Sequence, residues 1–152
     1  MVPQQAQQDA LKNRLGLLWA DVLRALPGYL CNVSIYWGVG ASAHFDTRRG
    51  FATTSFDGTS TYLKLSEKLL TAGSYRVEGV LRHEMGHIVD LNVPWPALDA
   101  WAEERGADLP HTPERRADAI AGTIWGSPVY YDVESVQTTL SGTSPRPEDL
   151  GL

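Results

Sequence analysis

Leu11, Leu15, Leu18, Val22 and Leu26 recur three and four residues apart, with Lys12, Asp21 and Arg24 elsewhere on the wheel. That period places the apolar side chains on one face of a cylinder, so an amphipathic helix is expected from about residue 5 to 26, closed by Pro27 and Gly28. The period then shortens. "CNVSIYWGV" is β-rich, and "SAHFD" and "GFATTSF" read as further short strands separated by the polar "TRRG". Asp57–Gly58 signals a turn, after which Tyr62, Leu63, Lys64 and Leu65 form a strand.

From about Ser74 to Leu91 the helical period returns, with Val77, Val80, Leu81, His83, Glu84, His87, Ile88 and Leu91 in two adjoining stripes. "NVPWP" breaks that helix, "ALDAWAEERGADL" makes a short one, and "TPERRADAIAGTIWG" another, with Thr112 as N-cap, Pro113 in the first turn and Gly126 near the end. One helix, then strands, then helices is an α+β layout. The sheet is expected to be small, twisted and mainly antiparallel, with the first helix packed on it. Residues 1–140 form a single domain on this reading, and "SGTSPRPEDLGL", aperiodic and rich in Ser, Pro and Gly, makes 141–152 a flexible tail.

Composition narrows the classes of function. A chain of 152 residues can bury one continuous core. A formal charge of −5 disfavours nucleic acid and anionic membrane as partners, and the pairs Arg48–Arg49 and Arg115–Arg116 are too sparse to change that. Asp21 and Arg24 interrupt the first apolar stretch before it reaches signal-peptide or membrane-spanning quality, so a cytoplasmic protein is expected, with signal-independent release left open. Cys31 is the only cysteine, which excludes an internal disulfide and a Cys-rich zinc site. Any metal must be held by His and carboxylate.

"HEMGH", residues 83–87, lies inside the second long helical stretch. Positions four apart share a helical face, so His83 and His87 can aim both imidazoles at one ion. Glu84, turned by roughly 100°, stays beside a bound water instead of the ion. Hydrolytic zinc sites take three protein ligands and leave a fourth position for water, so one ligand is missing. His111, Glu103, Glu104, Glu114 and Asp118 are the downstream candidates. Glu114 and Asp118, four apart on the next helix, offer one carboxylate for the metal and another to hold a ligand imidazole through its free N–H.

"HEMGH" followed by "ERRAD" at 114–118 resembles the gluzincin zinc metallopeptidases, and the short chain looks most like the compact, ImmA/IrrE type of phage and bacterial peptidases. The resemblance covers roughly residues 60–126. It implies a zincin-like fold whose C-terminal helix carries the third ligand, one Zn²⁺ on His83, His87 and Glu114, Glu84 as general base, and Asp118 as partner of a histidine ligand, His83 first. The activity it implies is hydrolysis of a peptide bond in a protein or peptide substrate. ImmA/IrrE sequences commonly have Asn where Asp118 stands, and no helix-turn-helix segment accompanies the motif here, so the regulatory role of that group does not transfer.

Several residues complete this picture. An oxyanion needs a donor besides zinc. His111 ranks first for that role, ahead of Tyr130 and Tyr131. The strand Tyr62, Leu63, Lys64 and Leu65 is expected at the cleft rim, its free edge pairing with an extended substrate. Gly86 weakens a helix interior by about 1 kcal/mol relative to Ala, which makes sense where another backbone or the substrate passes close. His44 with Asp46 could form a second metal site, although a lone strand histidine is more often structural. Arg48 and Arg49 read as a solvated turn, Cys31 as a core residue, and Trp19, Trp37 and Trp125 as core or cleft wall. Two other classes fit the same atoms: a non-catalytic zinc-bearing binding or structural module, and a metal-dependent amidase acting on cell-wall peptide.

Overall fold

The computed structural model describes residues 2–30, 32–39, 52–70 and 73–126. Cys31, His44, Asp46, Arg48, Arg49, Tyr130, Tyr131 and the 141–152 segment lie outside those residues. The order is α1 (Val2–Ala25), β1 (Ile35–Val39), β2 (Ala52–Phe56), β3 (Thr61–Leu65), a 3-10 turn (Glu67–Leu70), α2 (Ser74–Asn92), α3 (Trp95–Glu104) and α4 (Pro113–Trp125). The layout is α+β. No described helix is long and apolar enough to cross a membrane.

α1 buries the expected stripe of Leu11, Leu15, Leu18 and Val22, with Leu26 just beyond its end. Gly28, at φ 87°, turns the chain away in a conformation that costs glycine little. β2 and β3 form a hairpin across residues 57–60. Asp57 Oδ1 accepts hydrogen bonds from the backbone N–H groups of Thr59 (2.9 Å) and Ser60 (2.8 Å), and Gly58 supplies a φ of 94°.

The sheet itself corrects the sequence expectation. Its order is β1-β3-β2, with β3 antiparallel to β2 but parallel to β1, Ile35 standing opposite Thr61. It is a mixed sheet, not a mainly antiparallel one. The turn signal at Asp57–Gly58 reports only the local hairpin, whereas the β1–β3 pairing joins segments far apart in sequence and leaves no local trace.

A second correction follows from the same order. Tyr62, Leu63, Lys64 and Leu65 lie on the central strand, with backbone groups engaged on both sides, so they offer no free edge to a substrate. Thr61, Leu63 and Leu65 are buried, and Tyr62 and Lys64 alternate with them. The buried face joins Val80, Leu81, Met85, Ile88 and Val89 of α2 and the α1 stripe in one core.

Val93, just before Pro94, caps the C-terminus of α2, and Gly126, whose φ of 72° is left-handed, caps that of α4. Leu91, read as part of the α2 stripe, is 41% exposed, while Met85 and Val89 are core. Trp19 and Trp125 pack against the core, and Trp37 is more open.

Candidate metal centre

α2 and α4 form the closest helix pair, and Gly86 is the reason they can. A Cβ built at Gly86 would stand 2.8 and 2.9 Å from the carbonyl carbon and Cα of Ala117, and closer still to its oxygen. Backbone meets backbone here, which any side chain would prevent. Glu114 and Asp118, one turn apart on α4, are thereby set against His83 and His87 on α2.

The resulting contacts are short. His83 Nδ1 lies 2.6 Å from Asp118 Oδ1, and His83 Nε2 lies 2.9 Å from Glu114 Oε2. His87 Nε2 is 3.1 Å from the other oxygen of Glu114, so one carboxylate spans both imidazoles. The two rings meet nearly at right angles, 87°, with centroids 4.7 Å apart. His83 is fully buried, whereas His87 and Glu114 retain 14% and 19% exposure, so the cluster reaches solvent on their side.

Glu84 sits beside this group. Its Oε1 accepts a hydrogen bond from Thr54 Oγ1 of β2 at 2.6 Å. Its Oε2 is buried, has no hydrogen-bond partner among the described residues, and lies 4.0 Å from His83 Nε2. A buried carboxylate oxygen without a donor is costly, and such a group calls for a ligand or water as its partner.

Charge favours a cation among these groups. Burial works against a charge on His83, but hydrogen bonds to Asp118 and Glu114 outweigh it and raise its pKa to about 10. Burial likewise opposes ionisation of Glu114, yet the bonds to His83 and His87 prevail and bring it down to about 2. Three carboxylates converging on two imidazoles, largely out of water, demand positive charge, from a proton or a metal ion.

The donor set fits a divalent ion. Ligand atoms held at 2.0–2.1 Å around tetrahedral zinc stand about 3.3 Å apart, close to the 2.9 and 3.1 Å that separate the two Nε2 atoms from the two oxygens of Glu114. Ligand atoms of His83, Glu84 and His87 also lie within 4.8 Å of one another. Of the two glutamates, Glu114 is the better placed to hold an ion with the histidines, because its oxygens lie against both Nε2 atoms while Glu84 Oε1 is engaged by Thr54. Asp118 engages Nδ1 of His83, so Nε2 is the nitrogen that faces Glu114.

Among the other expected site residues, His111 is exposed and makes no hydrogen bond or ion pair with the cluster among the described residues. Tyr62–Leu65 belong to the central strand, as above. Sequence reading missed Thr54, which carries no motif, and Arg116. The latter is fully buried, with Nε 2.8 Å from Asp90 Oδ1, Nη1 3.1 Å from Asp99 Oδ1 and 3.2 Å from the Pro110 carbonyl, and its guanidinium 3.8 Å over the Trp95 ring. Its place four residues before Ile120, on the buried face of α4, was the available signal.

Comparison with protein-family models, curated proteins and solved structures gave no match.

Proposed function

We propose that this chain is a zinc-dependent metallopeptidase of gluzincin type with a zincin-like fold, His83, His87 and Glu114 holding one ion and Glu84 acting as general base. The observation that carries the reading is the division of labour between two glutamates: Glu114 bridges both Nε2 atoms, and Glu84 points an unpartnered oxygen at the same place. A divalent ion held there would act as a Lewis acid, lowering the pKa of water at its open position from about 15.7 to about 7.

The chain's own groups do the rest. Asp118 accepts the Nδ1 proton of His83 and so fixes the tautomer that presents Nε2. Glu84 Oε2 takes a proton from the attacking water and returns it to the departing amine. An extended peptide would lie along β2, the strand that supplies Thr54 and packs on α2, instead of along β3. The orphaned Glu84 Oε2 favours this over a closed, non-catalytic zinc module, where no base is required.

Glu84→Gln tests the reading. Bound zinc and thermal midpoint should be unchanged, while cleavage of a quenched-fluorescent peptide library falls by about 10²-fold or more. Full cleavage by Glu84→Gln would reject the assignment. A parallel panel of cell-wall peptides separates peptidase from amidase.

A further inference from the structure

The ligand atoms of Glu84, His83 and His87 lie within 4.8 Å of one another, so a short swing of the Glu84 carboxylate would bring all three onto one ion. A base that became a ligand would lose its proton-accepting oxygen, so something must hold Glu84 apart. Its terminal torsion does not, because the sp³–sp² rotation of a carboxylate is broad and two-fold.

The hydroxyl of Thr54 supplies the restraint. It donates to Glu84 Oε1 at 2.6 Å, and Oε2 is then the oxygen left facing the cluster. Thr54 itself is held firmly: its backbone pairs with Leu63 in the ladder, and a β-branched side chain has little χ1 freedom. We infer that Thr54 is a positioning residue, whose hydroxyl keeps Glu84 out of the metal's ligand set and leaves Oε2 as its proton-accepting oxygen. The catalytic half of this inference rests on the peptidase reading, but the coordination half does not.

The test replaces zinc with Co²⁺, whose visible absorption reports coordination, in Thr54→Val and Thr54→Ser. Both variants should bind one ion. Thr54→Val should show an altered, weaker Co²⁺ band as Glu84 swings onto the ion, and adding Glu84→Gln should abolish the change. Thr54→Ser, which retains the hydroxyl, should match the parent. On a single peptide chosen with the parent protein, Thr54→Val should lower kcat roughly ten- to a hundredfold, as loss of a hydrogen bond to a charged group implies, with KM unchanged.

A Thr54→Val protein with the parent's Co²⁺ spectrum and kcat would overturn the inference. If Glu84→Gln still cleaves, the peptidase reading fails instead, and the Co²⁺ spectra alone decide the role of Thr54. Should Thr54→Val lose its fold, Thr54→Ala carries the same comparison.

Discussion

His83 is the residue on which, under the proposed function, proton and metal would compete. Its pKa in the folded, metal-free chain is about 10 against 6.5 for a free imidazole. A raised value means that its stabilising contribution is complete below about pH 6.5 and is lost as pH climbs toward 10. Glu114 runs the other way: lowered from 4.5 to about 2, it contributes fully above 4.5 and loses that contribution as pH falls toward 2. Chelator-treated protein should therefore show a lower urea midpoint at pH 9 than at pH 6, and an equal or higher midpoint at pH 9 would contradict the His83 assignment. Added zinc displaces the proton, so its affinity should rise across the same interval.

At the scale of elements, two glycines in helices make opposite predictions. Gly86→Ala drives a methyl group into the Ala117 backbone, so α2 and α4 must part, at about 1–3 kcal/mol for overpacking, offset by about 1 kcal/mol of helix propensity. Gly16→Ala on α1 meets nothing within 4 Å and should stabilise by about 0.5–1 kcal/mol. Denaturation midpoints read both, and zinc affinity should fall only in Gly86→Ala, because Glu114 retreats with α4. The sequence made the α1 stripe, the caps of α4 and the facing pairs His83/His87 and Glu114/Asp118 legible, since each is a helical period or a terminus residue. Gly86 was legible as a weak point whose purpose needed the partner helix to become clear. The centrality of β3 and the contact of Thr54 with Glu84 were not, because both join segments with no shared local pattern.

Across the whole molecule, α4 is fixed from two directions. Its face bearing Glu114 and Asp118 presses on α2, while Arg116 ties it to Asp90 at the end of α2 and to Asp99 on α3, beneath Trp95. Sequence reading weighed Arg116 only as half of a sparse basic pair, because net charge says nothing of burial. The exposed member Asp99 adds little, but the buried Arg116–Asp90 pair is different. Arg116→Met should cost about 3–5 kcal/mol by leaving Asp90 charged and without its partner, and Arg116→Met with Asp90→Leu should recover much of it. Thermal melts of the single and double variants check this; a single variant that melts like the parent would remove Arg116 from the framework. Other ties close the molecule around α1, where Ala25 O accepts from Trp101 Nε1 at 2.9 Å and Asp21 Oδ2 from Trp125 Nε1 at 2.9 Å.

The order β1-β3-β2 also dictates a sequence of events during synthesis. β1 leaves the ribosome first and β2 second, yet neither pairs with the other among the described strands, and both depend on β3. Until Leu65 has emerged, the edges of the two older strands have no ladder to join. The 57–60 turn is thus the gate through which the sheet is completed, and the helix bearing the two histidines follows that scaffold in the chain.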